Sequence, residues 1–507
     1  MDRDPSRAAE ANVVRWWVVT GSELTDQQQA LNAAQRRAVR QLLRIAPVAD
    51  DLAARFSAAG HELALVGGSV RDALLDRLGQ DLDFTTSARP AETKRLLADW
   101  ADNMWDVGQA FGTIGAIKSG FQIEITTYRS ENYDRTSRKP AVAYGETIDD
   151  DLVRRDFTIN AMAVKLPGRE FIDPHGGLPD LGRKIIRTPG TPEASFSDDP
   201  LRMMRAARFS AQLGFDVAPE VVSAMRDMAE RLDIVSAERI RDELTKLLLT
   251  RRPRAGLRLL VDTGLADRML PELPALKLEI DEHHRHKDVY EHSLTVLDQA
   301  IELEDRLPEG GPDLVIRLAA LLHDIGKPKT RRFEPGGGVS FHHHDVVGAK
   351  LVRKRLTALR FPSAVVDGVA NLTELHLRFH GYGGGQWTDS AVRRYVRDAG
   401  DLLDRLHVLT RSDCTTRNPR KAETLRRAYD DLEARIERLA GEEELAAIRP
   451  DLDGNEIMQI LGLGPGPVVG RAYRYLLELR MDRGPLGPDA AAAELLEWWK
   501  SQPENST

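Results

Sequence analysis

Two carboxylates one residue apart, Asp81 and Asp83, lie downstream of a glycine pair in the segment LVGGSVRDALLDRLGQDLDFTT, residues 65–86. On a strand, alternate side chains share a face, so Asp81 and Asp83 point together while Leu82 and Phe84 point into a core. Carboxylates sharing a face repel unless a cation lies between them, and Mg²⁺ is the cation most often held by a few carboxylates together with substrate phosphates. Gly67 and Gly68 let backbone amides approach an anion, and a helix starting near Ser69 turns its positive end toward the same place. The segment is neither a P-loop nor a dinucleotide fingerprint. Glu124, in FQIEITTYR, shares a strand face with Gln122 and Thr126. A third carboxylate there suits deprotonation of an attacking hydroxyl or metal binding, and equally a solvated strand surface.

Two further constellations suit nucleotide chemistry. Arg154-Arg155-Asp156-Phe157-Thr158-Ile159-Asn160 sets guanidinium forks, which match phosphate oxygens, beside a carboxylate and an amide that can take sugar hydroxyls. In Asp198-Asp199-Pro200-Leu201-Arg202, Asp199 suits a helix N-cap and Pro200 the first helical position, which puts Asp199 and Arg202 on one face of the first turn. A carboxylate accepts from an exocyclic amine and a guanidinium donates to a neighbouring ring acceptor. Cytosine and adenine offer that pair; guanine and uracil present the reverse and leave polar groups unmatched, at roughly 1–3 kcal/mol each. Arg205 and Arg208 continue the spacing toward phosphates or RNA, or line a solvated helix face. Arg251, Arg252, Arg254 and Arg258 form the densest basic run and suit an RNA backbone.

Histidines supply the last constellation. Eleven of the thirteen lie between His283 and His407, where a uniform spread would put about three. His292, His323-Asp324 and Asp413 resemble the H…HD…D signature of HD-domain phosphohydrolases, and His344 and His376 fall where some members of that family have further ligands. Neutral imidazoles and carboxylates on separate helices can converge on Mn²⁺, Fe²⁺, Ni²⁺ or Mg²⁺ and activate water against a phosphate ester.

These residues need a scaffold, and the hydropathy pattern supplies two kinds. From about Val48 to Leu166, short apolar strands (ELALVGG, DLDFTT, TIGAIK, FQIEITTY, AMAVKL) alternate with helical stretches; after Pro174, helical periodicity dominates through Trp499. A chain of 507 residues, 42% hydrophobic and 30% charged, can bury several cores. Its formal charge of −8 provides no global field for nucleic acid, so contacts with RNA must be local. Cys414 is the single cysteine, which excludes an intrachain disulfide and a cysteine zinc cluster. The apolar stretch from Val13 to Thr20 is too short for a membrane span and lacks a signal-peptide layout. A cytoplasmic protein is expected.

Over residues 48–480 the chain resembles the polymerase-β-like nucleotidyltransferases, in the branch of class II CCA-adding tRNA nucleotidyltransferases and bacterial poly(A) polymerases, joined to an HD domain. GG-x-V-R-D before D-L-D-F resembles motif A, and RRDFTIN resembles motif B over its full length. IDPHGG at 172–177 resembles motif C, a hinge or a plain turn. Asp198-Asp199-Pro200-Leu201-Arg202 resembles motif D, E-D-x-x-R, with Asp198 where Glu is usual, and Glu238-Arg239 with Glu243 resembles the bracing motif E.

The resemblance implies an α+β architecture: an extension (1–45), a nucleotidyltransferase head (46–170), a helical neck for templating and RNA (171–280), an all-α HD domain (281–415) and a helical tail (416–507). It implies two Mg²⁺ on Asp81 and Asp83, which with Glu124, as base or ligand, make the catalytic set, and nucleotide contacts from Gly67, Gly68, Arg71, Arg155, Asp156, Asn160, Asp199, Arg202, Arg205 and Arg208. His292, His323, Asp324 and Asp413 would hold a second divalent metal, in a phosphohydrolase centre for RNA 3′ ends. The implied reaction is untemplated addition of C, C and A to tRNA from CTP and ATP. Poly(A) or A-only addition is the alternative within the class, and an HD phosphohydrolase with a nucleotide-binding head the alternative outside it. The absence of a long basic C-terminal tail argues against polyadenylation. A C-terminal GLGPGPVVG turn resembles one in HD-containing members and suits either RNA backbone or helix punctuation.

Overall fold

The computed structural model describes residues 41–502 apart from 43, 46, 108–111, 132–141, 146, 278–287, 336–337, 380–381, 383–386, 417 and 444–448. The expected extension therefore lies almost wholly outside the described residues. The chain forms two compact units, residues 1–239 with 255–268, and residues 240–254 with 269–507.

The first unit is built on a seven-stranded sheet of order β3-β4-β5-β2-β1-β8-β9. Its strands are β1 (Leu63–Val66), β2 (Asp81–Thr86), β3 (Asn103–Val107), β4 (Thr113–Lys118), β5 (Phe121–Thr127), β8 (Ala163–Leu166) and β9 (Glu170–Ile172); a separate two-stranded ribbon pairs β6 (Arg129–Glu131) with β7 (Val142–Tyr144). β2 and β5 run parallel and the other pairings in the sheet are antiparallel. β1, LALV, is buried throughout, as a continuous apolar strand between two neighbours should be. β2 alternates: Leu82 and Phe84 are each 1% exposed, whereas Asp81 is exposed and Asp83 half-buried. The five strands expected from hydropathy are present. β3 and β9 add the two edges, where Asn, Asp and Glu dilute the apolar signal.

Helix α1 (Gly68–Leu74) follows β1, and the motif D segment joins α2 (Pro192–Asp198) to α3 (Leu201–Leu213). Two short strands here, β10 (Ile185–Ile186) and β11 (Asp216–Val217), pair in parallel within the region expected to be helical. Helix α4 (Ala237–Leu248) carries motif E.

The second unit is helical. It includes α5 (Val289–Glu302), α6 (Leu314–Leu322), α7 (His344–Ala358), α8 (Ser363–Leu375) and α9 (Leu403–Ser412), with one small ribbon of β12 (Arg332–Phe333) and β13 (Val339–Ser340). Buried Arg317 organises the start of α6: it forms two bonds to Glu304 (2.6 and 2.7 Å) and donates to the carbonyls of Leu248 and Thr250. Near the end of the chain α10 (Gly454–Leu461), α11 (Pro467–Arg483) and α12 (Pro488–Lys500) pack around Ile457, Leu476 and Leu495. No helix among the described residues is long and apolar enough to cross a membrane.

Candidate nucleotidyl-transfer site and metal cluster

In the first unit, the register of β2 and β5 sets Asp83 opposite Glu124 and Asp81 opposite Gln122. Both carboxyls feel the crowding. Burial, with Asp81 adding to it against the pull of Arg155, raises Asp83; burial, then Asp83 and Asp81, raises Glu124. Such mutual destabilisation of negative charge is relieved by a cation, so the donor set fits a divalent metal that completes its shell with substrate phosphates. Ser69 ties α1 to this strand: its Oγ accepts from the Asp83 amide at 2.9 Å.

Gly67 sits at φ +67°, and a Cβ there would lie 2.6 Å from Nη1 of Arg155. The left-handed backbone conformation favours glycine here, and a side chain would also displace the Arg155 guanidinium. A Cβ on Gly68 would meet Arg71 and Asp83 at 3.5 and 3.8 Å. The glycine turn thus draws Arg71, Asp83 and Arg155 to one place. Arg155 also bonds the buried Asp151 at 2.9 Å. Arg71 donates to Asn160 (2.6 Å), Asn160 to Asp156 (2.9 Å), and Arg205 to Asp156 (2.5 and 2.8 Å). The guanidiniums of Arg71, Arg205 and Arg208 lie 5.2, 5.6 and 4.1 Å from the ring centroid of Phe209. Phe209 is a functional candidate that motif reading missed; its place one turn after Arg205 is the only signal for it.

Burial alone would raise the Asp156 carboxyl, yet Arg205 and the Asn160 amide hold it at about 2. A carboxyl depressed in the folded state stabilises the fold above its unfolded value near 4, and that stability is lost as pH falls toward 2. Asp156→Asn is therefore expected to flatten the acid limb of the Tm-versus-pH curve between about pH 4 and pH 2, as read by thermal unfolding.

Asp199 links α2 to α3: its backbone is extended, Pro200 after it is helical, and its Oδ1 accepts from the Leu201 amide at 3.1 Å, as an N-cap carboxylate does. Its other oxygen is held by Arg239 at 2.7 Å. Arg202 donates to Ser195 Oγ (3.0 Å) and to the Arg154 carbonyl (2.5 Å), fixing α3 to motif B. Asp199 and Arg202 are thus engaged by neighbours, and the Asp199–Arg239 pair joins motifs D and E. Arg208 donates to Gln212 at 2.8 Å. Glu238 is exposed, and Glu243 is buried in the second unit.

Motif C packs tightly. Asp173 accepts from the amides of Gly177 (2.6 Å) and Leu178 (2.9 Å), and a Cβ on Gly177 would lie 2.2 Å from the Thr158 carbonyl. Gly177 therefore answers to close backbone approach. Of the basic run, Arg251, Arg252 and Arg258 are exposed, while Arg254 is tied to Glu291 (2.7 Å) and Asp298 (2.5 Å).

In the second unit six side chains converge, and five of the six lie at helix ends. His292 stands in the first turn of α5, His323 and Asp324 directly follow α6, His344 begins α7, and His376 and Asp413 directly follow α8 and α9. His292, His323 and Asp413 form one group whose ligand atoms all lie within 4.8 Å of one another; Asp324, His344 and His376 form another. Asp324 faces both: Oδ2 lies 3.2 Å from His323 and 3.6 Å from His292, Oδ1 3.3 Å from His344 and 3.9 Å from His376.

The tautomers follow from position. Nδ1 of His323, His344 and His376 each meets the carbonyl three residues earlier, at 2.9, 2.8 and 2.6 Å, so each Nδ1–H donates there and each Nε2 keeps its lone pair. Those three buried Nε2 atoms have no hydrogen-bond partner. Orphaned acceptors aimed at a shared space around a two-faced carboxylate fit two divalent cations. Burial opposes charge on His323, but with no cation in the cluster Asp324 and Asp413 outweigh it and lift the imidazole to about 9, so a bound cation would take the place of a proton on its Nε2. Of the remaining clustered histidines, His283, His284, His286 and His380 lie outside the described residues.

The Poly A polymerase head domain family matches residues 63–187, the probable RNA and SrmB-binding site of polymerase A matches 214–276, and the HD domain matches 289–418. The A-adding tRNA nucleotidyltransferase of Deinococcus radiodurans is 36% identical over 448 residues, covering 87% of this chain and 96% of that protein. The CCA-adding enzyme of Streptococcus gordonii is 42% identical over 229 residues, covering 45% of this chain and 56% of that one. The crystal structure of the Bacillus stearothermophilus CCA-adding enzyme in complex with CTP superposes with a TM-score of 0.58 at 25% identity, over 90% of this chain and 98% of that one. With its glycine-turn carboxylate site, motif D–E pair and histidine cluster, the chain belongs to the family of tRNA nucleotidyltransferases that join a poly(A) polymerase-type head to an RNA-binding segment and an HD domain.

Proposed function

We propose that this enzyme adds C, C and A to the 3′ end of tRNA, taking CTP and ATP in turn without a nucleic-acid template. The observation that carries the reading is Asp83 on β2 beside Glu124 on β5, with Gly67, Arg71 and Arg155 gathered above them. Asp81 and Asp83, with Glu124, would hold Mg²⁺, which when bound neutralises the triphosphate and acidifies the tRNA 3′-hydroxyl. The protein's own part is placement. Arg155 and the amides after Gly67 receive phosphate oxygens, and Asn160 and Asp156 take the sugar hydroxyls by giving up part of their bonding to Arg71 and Arg205. Attack of the 3′-hydroxyl on the α-phosphorus forms one P–O bond, breaks the bond to the β-phosphate and releases pyrophosphate.

Asp199 and Arg202 choose the base. For this, Asp199 leaves Arg239 and accepts from the exocyclic amine of C or A, while Arg202 donates to the adjacent ring acceptor. Asp199→Ala is expected to cut kcat/KM for CTP and for ATP by about one to two orders of magnitude, and to weaken rejection of UTP by a similar factor. Incorporation assays with each nucleotide alone check this; unchanged discrimination contradicts the assignment. A-only addition is the second reading, favoured by the near full-length similarity to an A-adding relative.

The histidine cluster is a phosphohydrolase centre for RNA 3′ ends. Asp324 joins the two ligand groups, and the orphaned imidazole nitrogens support occupancy by Mn²⁺, Ni²⁺, Fe²⁺ or Mg²⁺. A cation there supplies the activated water; the chain supplies the ligands, their tautomers and a largely buried floor.

A further inference from the structure

The segment between Asp324 and His344 carries surface features that the cluster itself does not need. From Lys327 to Phe333 it reads KPKTRRF, four cations and an aromatic with no carboxylate. Lys329, Arg331, Arg332 and Phe333 are exposed, Phe333 to 70%, although Val339 opposite it on the ribbon is buried. Arg331 lies 5.3 Å from the Phe333 ring centroid. Among the described residues, Lys329, Arg331 and Arg332 pair with no carboxylate. Arg332 stands opposite Ser340, four residues before the ligand His344, which limits the chain between Ser340 and that ligand to roughly 14 Å. His342 and His343 are exposed along the way. At the other end of the segment, Lys327 reaches Asp324 at 2.9 Å.

Folding explains none of these exposures: a large aromatic held in water and unpaired guanidiniums contribute nothing to the core. An exposed aromatic face among unneutralised cations is what single-stranded nucleic acid needs, since any base stacks on the ring and the cations follow the backbone. We propose that the β12–β13 ribbon, with Lys329, Arg331, Arg332 and Phe333, is a platform for single-stranded RNA that leads its end to the histidine cluster. This rests on reading the cluster as a phosphohydrolase centre, and it makes the substrate class a polynucleotide end instead of a free mononucleotide.

The test is photo-crosslinking of the full-length protein to a single-stranded octanucleotide carrying 4-thiouridine, with peptide mapping. Crosslinks within residues 329–343 are expected, with their yield falling about tenfold in Phe333→Ala and in Arg331→Glu/Arg332→Glu. Phe333 is outside the core, so an unchanged Tm certifies the fold. Crosslinks confined to other segments, a ribbon yield unmoved by both variants, or displacement of the RNA by poly-glutamate of equal charge would overturn the platform. Hydrolysis of bis(p-nitrophenyl) phosphate by the Mn²⁺-loaded enzyme is measured alongside. Ribbon crosslinks without any hydrolysis would uphold the platform and sink the hydrolytic reading; hydrolysis without ribbon crosslinks would do the reverse.

Discussion

Asp83→Asn is expected to lower nucleotide incorporation onto tRNA by about three orders of magnitude or more, with the fold intact. The substitution keeps the size and planarity of the side chain and removes one negative charge. Asp83 is half-buried beside Glu124 and above the glycine turn, and its carboxyl is already raised by burial and by Asp81. An amide there relieves repulsion in the cation-free protein, so Tm should hold or rise while the rate collapses. That opposite movement of stability and activity distinguishes a cation-binding carboxylate from a structural one. Single-turnover incorporation at saturating Mg²⁺, with thermal unfolding of the same preparation, checks it. A loss below about tenfold would mean that Asp83 does not bear the metal.

The second large effect concerns Asp324. Because its two oxygens face separate ligand groups, Asp324→Ala is expected to abolish both cation positions, whereas His344→Ala should spare the group of His292, His323 and Asp413. Transition-metal content after exchange into Mg²⁺ buffer, which leaves the head with Mg²⁺, should by plasma mass spectrometry fall from two per chain to none in the first variant and to one in the second. Cation binding at about a hundredfold over its Kd adds about 2.7 kcal/mol to stability, so the metal-dependent gain in Tm should vanish with Asp324. Removing the aspartate takes one carboxylate, 2.9 Å away, from Lys327 beside four imidazoles, so incorporation by the head serves as the control for intact protein. Equal metal content in Asp324→Ala and wild type would refute the two-faced role.

Much of the head was legible because strand alternation is a local property. Leu82 and Phe84 must be buried if Asp81 and Asp83 are not, and continuous apolar character in LALV marks a strand flanked on both sides. What depends on distant partners was not. That Gly177 must be glycine follows from the Thr158 carbonyl, which no spacing announces. Asp199 and Arg202 look like a free pair in the chain, but Arg239 and the Arg154 carbonyl hold them in the fold. The H…HD…D pattern marked a cluster; that Asp324 serves two groups follows only from helix ends meeting in space. Phe209, ringed by three guanidiniums, reads in sequence as an ordinary core phenylalanine.

The most direct measurement of the central claim uses two tRNAs, one ending at the discriminator base and one already carrying CC, each incubated with Mg²⁺ and with CTP, ATP or both, and resolved at single-nucleotide resolution. The account predicts two additions with CTP alone on the first, one addition with ATP alone on the second, and three additions followed by a halt when both nucleotides meet the first. A run of adenylates, or failure to extend the first tRNA with CTP, would contradict it.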